Sequence, residues 1–411
     1  MNATFKRFLR GLICLHCIFS LPVEARWTPP DDTVPVTRLL DNLQRQLEAH
    51  PDAHDLLAQI ARVHSRAYAM AEQESEVSYV MGAPPGQEQP EAAPLRLYEA
   101  GNTDFWSPRE GAKNVSDARI AHLKTAIEYY RKATAHEKAT AYDWLGLGFN
   151  LHEASRIPER MMDTGKAHPS DEAAQTAWQR KYEDEALDAY QTSYDFGGER
   201  QIESGSGIME ILSKRTDLDK EGQRRLKATR RKVVELKATR QHWVTPIILH
   251  LSERRTINEL LAPETHVKFD LDGSGRGDTW PWVQPDTAFL VWDEDGRGDV
   301  PSGRVLFGSV TWWIFWNNGY EALKSLDNDN DGWLQEDELQ GLALWQDTNS
   351  NGVSDPGEVV PIEVAGIEGI AVTATGEVDG MPANPQGLRL TGGKQLPTYD
   401  WITRPLEKEL R

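Results

Sequence analysis

The sequence predicts an α + (α+β) protein: an interrupted helical-repeat N-terminal domain, then a C-terminal mixed α/β module built around Asp- and Gly-rich loops. Three observations carry this reading. Residues 117–154 place strong helix formers at helical spacing, with Ala126, Tyr130 and Ala133 on one face. In the last third, acidic glycine-containing loops lead into Val359-Val360-Pro361-Ile362 and the run from Ile367 to Val372, which read as strands. Composition also changes along the chain. From Glu264 onward there are 26 acidic and 10 basic residues, and eight of the 14 tryptophans lie between Trp280 and Trp345. This shift puts a domain boundary at Ala262-Pro263, giving a helical domain over 26–262 and an acidic domain over 263–411.

With 411 residues and 39% hydrophobic content, the chain has room for two or three packed cores and is not a disordered polymer. No run of about 18 apolar residues is present, so a polytopic membrane protein is excluded. Cys14 and Cys17 are the two cysteines, so the rest of the chain has no disulfide framework and no thiolate zinc site. A net charge of −19 makes nucleic acid an improbable partner, because phosphate is repelled. No HExxH, GxSxG or GxxxxGK[ST] motif occurs, and on that ground no catalytic residue is expected.

The N-terminus reads as an export signal over residues 1–25. Lys6, Arg7 and Arg10 precede the short apolar stretch Gly11–Leu21, and Val23 and Ala25 satisfy the small-residue rule before a cleavage site. The expected mature chain begins at Arg26, does not span a membrane, and belongs in the periplasm, at the cell surface or outside the cell.

Helical periodicity recurs after residue 26. Ala126, Tyr130 and Ala133 are followed by Trp144, Leu147, Gly148 and Leu151. Leu39 and Leu43, then Pro51, then Leu57, Ile60 and Ala61 form a weaker copy, and Ala186, Tyr190 and Ser193 mark a further helix. Small residues at such positions let helices approach while large ones fill the gap. The pattern resembles the tetratricopeptide repeat, with Leu151 in place of its usual tyrosine. That resemblance implies a protein partner bound through the helices. Residues 74–116, rich in proline, and 156–182 interrupt the array. Lys220–Arg240 carries nine basic and two acidic residues, which suits either a solvated helix face or an electrostatic contact. The contact would be with the acidic domain or an anionic envelope surface.

The chemistry lies in two twelve-residue loops. Asp327, Asp329 and Asp331 occupy positions 1, 3 and 5, Gly332 position 6, Trp333 position 7, Gln335 position 9 and Glu338 position 12. This is the EF-hand pattern for Ca2+, a hard cation that takes six to eight oxygens: carboxylates at 1, 3 and 5, a backbone carbonyl at 7, water at 9, and a bidentate glutamate at 12. The second loop repeats it with Asp347, Asn349, Asn351, Gly352, Val353, Asp355 and Glu358, although Ser354 replaces the aliphatic residue at position 8. Glu336–Trp345 between the loops is expected to be a short helix, and the second loop to lead into strands.

Two further clusters, Asp270–Gly275 and Asp293–Asp299, lie upstream. With Trp282-Val283, Phe289–Val291, Leu306-Phe307-Gly308, Asn318-Gly319-Tyr320 and Ala322-Leu323, they complete a pattern over Val267–Val372. It resembles a bacterial secreted calcium-binding module of the EF-hand-like, haemolysin-associated type. That resemblance implies a module, not a reaction. Arg297 stands where the second cluster of that type has an acid, and Val305 replaces the glutamate before Leu-Phe-Gly. Two calcium sites are therefore expected, not four.

The run Thr311-Trp312-Trp313-Ile314-Phe315-Trp316 reads as core, with a sugar-stacking platform as the alternative. The function expected is that of an exported calcium-binding protein, the ion structuring a module attached to a helical interaction domain. A carbohydrate-binding or adhesive surface protein using the tryptophans is the rival.

Overall fold

A computed structural model describes residues 34–70, 117–162, 172–239 and 243–406. The expected export signal, residues 1–25, and the expected interruption at 74–116 lie outside the described residues.

The N-terminal region is helical: α1 (Val36–Ala49), α2 (His54–Met70), α3 (Asp117–Thr134), α4 (Ala141–Ser155), α5 (Glu159–Met162), α6 (Glu172–Asp195), α7 (Gln201–Lys214) and α8 (Lys220–Thr239). Thr140 caps α4 reciprocally with Asp143, each side chain accepting the other's backbone N–H. Ala126, Tyr130, Ala133, Ala186, Tyr190 and Ser193 are all buried. The Tyr130 ring lies where a Cβ on Gly146 would stand, only 2.2 Å from its Cζ, and Tyr190 covers Gly148 in the same way, at 2.7 Å. Tyrosine over glycine thus brings α3, α4 and α6 close. Helix α8 packs Val233 against Gly205 of α7 and leaves Arg224, Lys227, Arg230 and Arg231 exposed. Its basic face is therefore turned to solvent, not onto the acidic region.

The C-terminal region is an antiparallel sheet domain. In chain order its elements are β1 (Ile247–Leu249), α9 (Ile257–Leu260), β2 (Leu261–Phe269), β3 (Asp278–Val283), β4 (Ala288–Trp292), α10 (Gly319–Lys324), β5 (Trp333–Gln335) and β6 (Leu342–Trp345). Then follow β7 (Val359–Pro361), β8 (Ile367–Ala371), β9 (Gly376–Val378), β10 (Met381–Leu390) and β11 (Gln395–Asp400). Among the described residues, one sheet has the order β5-β8-β10-β11-β1-β4-β6-β7, with β9 paired to β10, and β2 and β3 form a separate pair.

Both faces of the central strands are covered, and successive residues alternate between two cores. Ala288, Leu290 and Trp292 of β4 join Leu39, Leu43, Ile60 and Val63 of α1 and α2 in one core. Phe289 and Val291 join Phe269, Trp280, Trp282 and Trp345 in the other. The boundary expected at Ala262-Pro263 therefore falls inside β2, and β1 upstream of it is a central strand. The charge step reports a change in surface, whereas the shared core follows strand pairing and the packing of α1 and α2.

Two further expectations are corrected. Glu336–Trp345 is not a helix: Glu336–Leu339 makes a 3-10 turn, Gly341 breaks it at φ 85°, and Leu342–Trp345 pairs with β4, Trp345 opposite Phe289. The aromatic run offers no stacking platform either, because Trp312, Trp313 and Trp316 are all buried. Their chain doubles back through left-handed backbone at Trp312, Trp313 and Phe315, with φ of 53°, 60° and 62°. Arginines of α2 meet its carbonyls: Arg66 Nε donates to Trp312 O at 2.9 Å and Arg62 Nη1 to Phe315 O at 2.6 Å. Among the described residues no helix is long and apolar enough to cross a membrane.

Candidate metal centre

The two twelve-residue loops have the same internal geometry. At position 1, an Asp oxygen accepts the N–H five residues on: Gly332 to Asp327 Oδ2 at 3.0 Å, Gly352 to Asp347 Oδ2 at 2.9 Å. At position 3, Asp329 and Asn349 accept from Asp331 N and Asn351 N at 3.1 and 3.0 Å. At position 5, Asp331 and Asn351 accept from Trp333 N and Val353 N at 2.8 and 2.7 Å. At position 12 each glutamate closes the ring with both oxygens. Glu338 takes Asn328 N at 2.5 Å and Gln335 N at 3.1 Å, while Glu358 takes Thr348 N at 2.8 Å and Asp355 N at 3.1 Å.

Backbone conformation explains the residue types. Positions 4 and 6 are left-handed in both loops: Asn330 and Gly332 at φ 59° and 91°, Ser350 and Gly352 at 57° and 71°. A Cβ on Gly352 would also come within 2.6 Å of Val267 Cγ1. The turn recurs in the upstream clusters. Gly273 and Gly275 after Asp270, and Gly296 and Gly298 after Asp293, are left-handed too, and Gly275 N and Gly298 N donate back to the leading aspartate. What those turns lack is the closing glutamate: position 12 is Pro281 in one and Arg304 in the other. Arg304 reaches instead to the Asp270 turn, its Nε donating to Gly273 O at 2.7 Å and its guanidinium lying 4.0 Å from the Trp313 ring centroid.

Electrostatics single out the first loop. Among the described residues, Asp327, Asp329 and Glu338 form the one cluster of three or more such groups whose ligand atoms all lie within 4.8 Å of one another. Asp327 is 2% exposed, and its Oδ1 has no hydrogen-bond donor among the described residues. Burial, with Glu338 and Asp331 nearby, pushes the Asp327 carboxyl above its ordinary value, against the Gly332 and Asn330 N–H groups. A buried oxygen without a donor, inside a ring of carboxylates, is what a hard divalent cation would satisfy, so these residues fit calcium. In the second loop burial likewise raises Asp347. There the Asn349 and Asn351 amides donate to Asp355 Oδ2 at 2.7 and 2.8 Å and hold its carboxyl below the usual range.

The remaining expected ligands are placed as follows. Gln335 donates to Asp331 Oδ2 at 2.8 Å and accepts from Arg389 at 2.7 Å, so its side chain braces the first loop. Trp333 pairs with Ala371 in the β5–β8 ladder, and Val353 is exposed. Ser354 has a reason to be polar: its Oγ accepts Val300 N at 2.9 Å and ties the second loop to the Asp293 turn. Sequence reasoning missed Arg389, Arg38 and Asn42 as braces of the first loop; they are distant in the chain and carry no motif.

Residues 248–390, which span all four turns, match the family model described as the SPM domain. A stretch of 107 residues, 25% of this chain, is 34% identical to the iron-regulated protein FrpA of Neisseria meningitidis serogroup C. The chain spans about a tenth of the length of that relative, 10% by alignment.

Proposed function

We propose that this protein binds calcium through its C-terminal sheet domain, the ion fixing two EF-hand-type loops of a bacterial secreted, haemolysin-associated kind of module. The observation that carries the reading is the donor-less, buried Asp327 Oδ1 inside the Asp327–Asp329–Glu338 cluster. Asp327, Asp329, Asp331 and Glu338 would hold the ion in the first loop, with the Trp333 carbonyl, and with Gln335 through water. Asp347, Asn349, Asn351, the Val353 carbonyl and Glu358 would do so in the second, with Asp355 through water. The bound ion supplies positive charge that removes carboxylate repulsion and fixes the loops.

The partial match relates the module to a stretch of the iron-regulated protein FrpA, and the leader-like residues 1–25 support export. The tyrosine-over-glycine packing supports a tetratricopeptide-like helical part, which we assign to protein interaction. Titration calorimetry of the full chain with calcium, before and after chelator treatment, tests the reading. Heat that saturates in two steps is expected, and no calcium-dependent heat would overturn it.

A further inference from the structure

Helix α1 presents Arg38, Asn42 and Gln46 at i, i+4 and i+8, one stripe of its surface. All three reach the segment that leads into the first loop. Gln46 Nε2 donates to Lys324 O at 3.3 Å, Asn42 Nδ2 to Ser325 O at 2.9 Å, and Arg38 Nη2 to Leu326 O at 2.7 Å. These carbonyls belong to the last residue of α10 and the two that follow it, where a helix needs donors from outside itself; Lys324 O also accepts the N–H of Asp327. Side chains of one helix thus cap another that ends three residues before Asp327.

Arg38 reaches further. The same Nη2 donates to Glu338 O at 3.2 Å, and its Nε donates to Asn328 Oδ1 at 3.0 Å. One guanidinium therefore ties the residue before the loop to the residue that ends it. Asn42 Nδ2 also donates to Asn328 Oδ1 at 3.0 Å. The backbone N–H of Asn328 in turn holds Glu338 Oε1. The α1 side chains and the loop's closing carboxylate so meet on one residue.

On the calcium reading above, we propose that α1 is a calcium-coupled latch: an ion in the Asp327 loop and the docking of α1 on that loop stabilise one another. The reason is geometric. Binding needs positions 1 and 12 held at a fixed separation, and Arg38 spans the residues on either side of that gap. An ion that fixes the loop fixes the carbonyls α1 binds, and docked α1 presents a loop already closed. Such coupling is reciprocal: the factor by which docking raises calcium affinity is the factor by which calcium tightens docking. The helical region, which shares a core with the sheet through α1 and α2, would then receive the calcium state of the module.

Arg38 also carries a positive charge toward a cation site, which opposes binding, so Arg38→Ala mixes two effects. Asn42→Ala removes two hydrogen bonds to the loop segment, and one from Arg45 within α1, without changing charge, and is the cleaner variant. In the full chain it should weaken the first calcium site about fivefold or more and leave the second unchanged. Hydrogen exchange of the parent provides a second readout that needs no variant at the interface. Calcium should slow exchange across residues 36–49 in the parent, and fail to do so in Glu338→Gln, in which the second loop still fills. Calcium binding with α1 exchange unchanged, or slowed equally in Glu338→Gln, would overturn the latch and leave the calcium reading standing. A parent that binds no calcium would overturn both.

Discussion

Glu338 closes its loop onto Asn328, its Oε1 accepting that residue's N–H at 2.5 Å. Glutamine at this position has one oxygen in place of two and no charge. It would keep one of the two backbone bonds and lose the bidentate grip. Glu338→Gln is expected to abolish the tighter calcium site while the Asp347 loop continues to titrate. Calorimetry checks this by the loss of one of two binding steps; a variant that titrates like the parent would show the assignment to be wrong.

The first loop offers four carboxylates, Asp327, Asp329, Asp331 and Glu338, where the second offers Asp347 and Glu358 as direct ligands. Ligand charge raises calcium affinity, so the first loop should fill first, with affinities of about 10⁻⁴–10⁻³ M that suit extracellular modules. Calcium at about 100 times its dissociation constant should then add about 2.7 kcal/mol of stability for each filled site. Thermal melts in calcium, chelator and magnesium check this. Magnesium should stabilise less, because it holds its water and demands a tighter octahedron.

How much of this was legible in the sequence follows from chain distance. Each loop keeps its candidate ligands, its left-handed positions 4 and 6 and its closing glutamate within twelve residues, so the candidate centre could be read directly. The pairing of Tyr190 with Gly148 was half legible: spacing marked both as packing positions without showing that one fills the other's space. Gly146, which Tyr130 covers, was not marked. Strand β1 was missed because Ile247–Leu249 is three apolar residues with no period to distinguish strand from helix. Leu342–Trp345 misled for a similar reason, being apolar on every residue, since both faces of β6 are covered. The hold of Arg38 on Leu326 and Glu338 joins residues 288 and 300 positions apart and left no local mark.

Gly146 is expected to reject a side chain. A Cβ there would lie 2.2 Å from Cζ and 2.4 Å from the hydroxyl of Tyr130, whose ring is 1% exposed and has no room to swing aside. Gly146→Ala gains about 1 kcal/mol of helix propensity. Overpacking of a tight core costs about 1–3 kcal/mol, and an overlap this deep belongs at the upper end. Net destabilisation of about 1–2 kcal/mol is expected on those figures, read as a lower urea midpoint. Gly376→Ala, where a Cβ would meet nothing within 4 Å, serves as the control and should leave the midpoint nearly unchanged.

Asp400 gives the chain a predictable pH dependence away from the two twelve-residue loops. It is fully buried, and its Oδ1 accepts the N–H of Gly319 at 2.9 Å, at the start of α10. Burial pushes its carboxyl up to about 8, more than the Gly319 N–H and the Thr245 hydroxyl offset, and Glu321 adds a little more. The folded protein therefore keeps this proton at neutral pH, whereas the unfolded chain releases it near the ordinary aspartate value of about 3.9. Between those two values the folded state binds more protons, so this group's contribution to stability falls as pH rises through the window and levels off above the folded value. The slope is at most about 1.4 kcal/mol per pH unit. An asparagine side chain in its place would be neutral throughout and would still offer an oxygen to Gly319. The advantage of Asp400→Asn over the parent should be small near pH 4 and grow toward pH 8. Urea unfolding of both proteins in chelator across that range checks it, and parallel stability curves would show that Asp400 ionises normally.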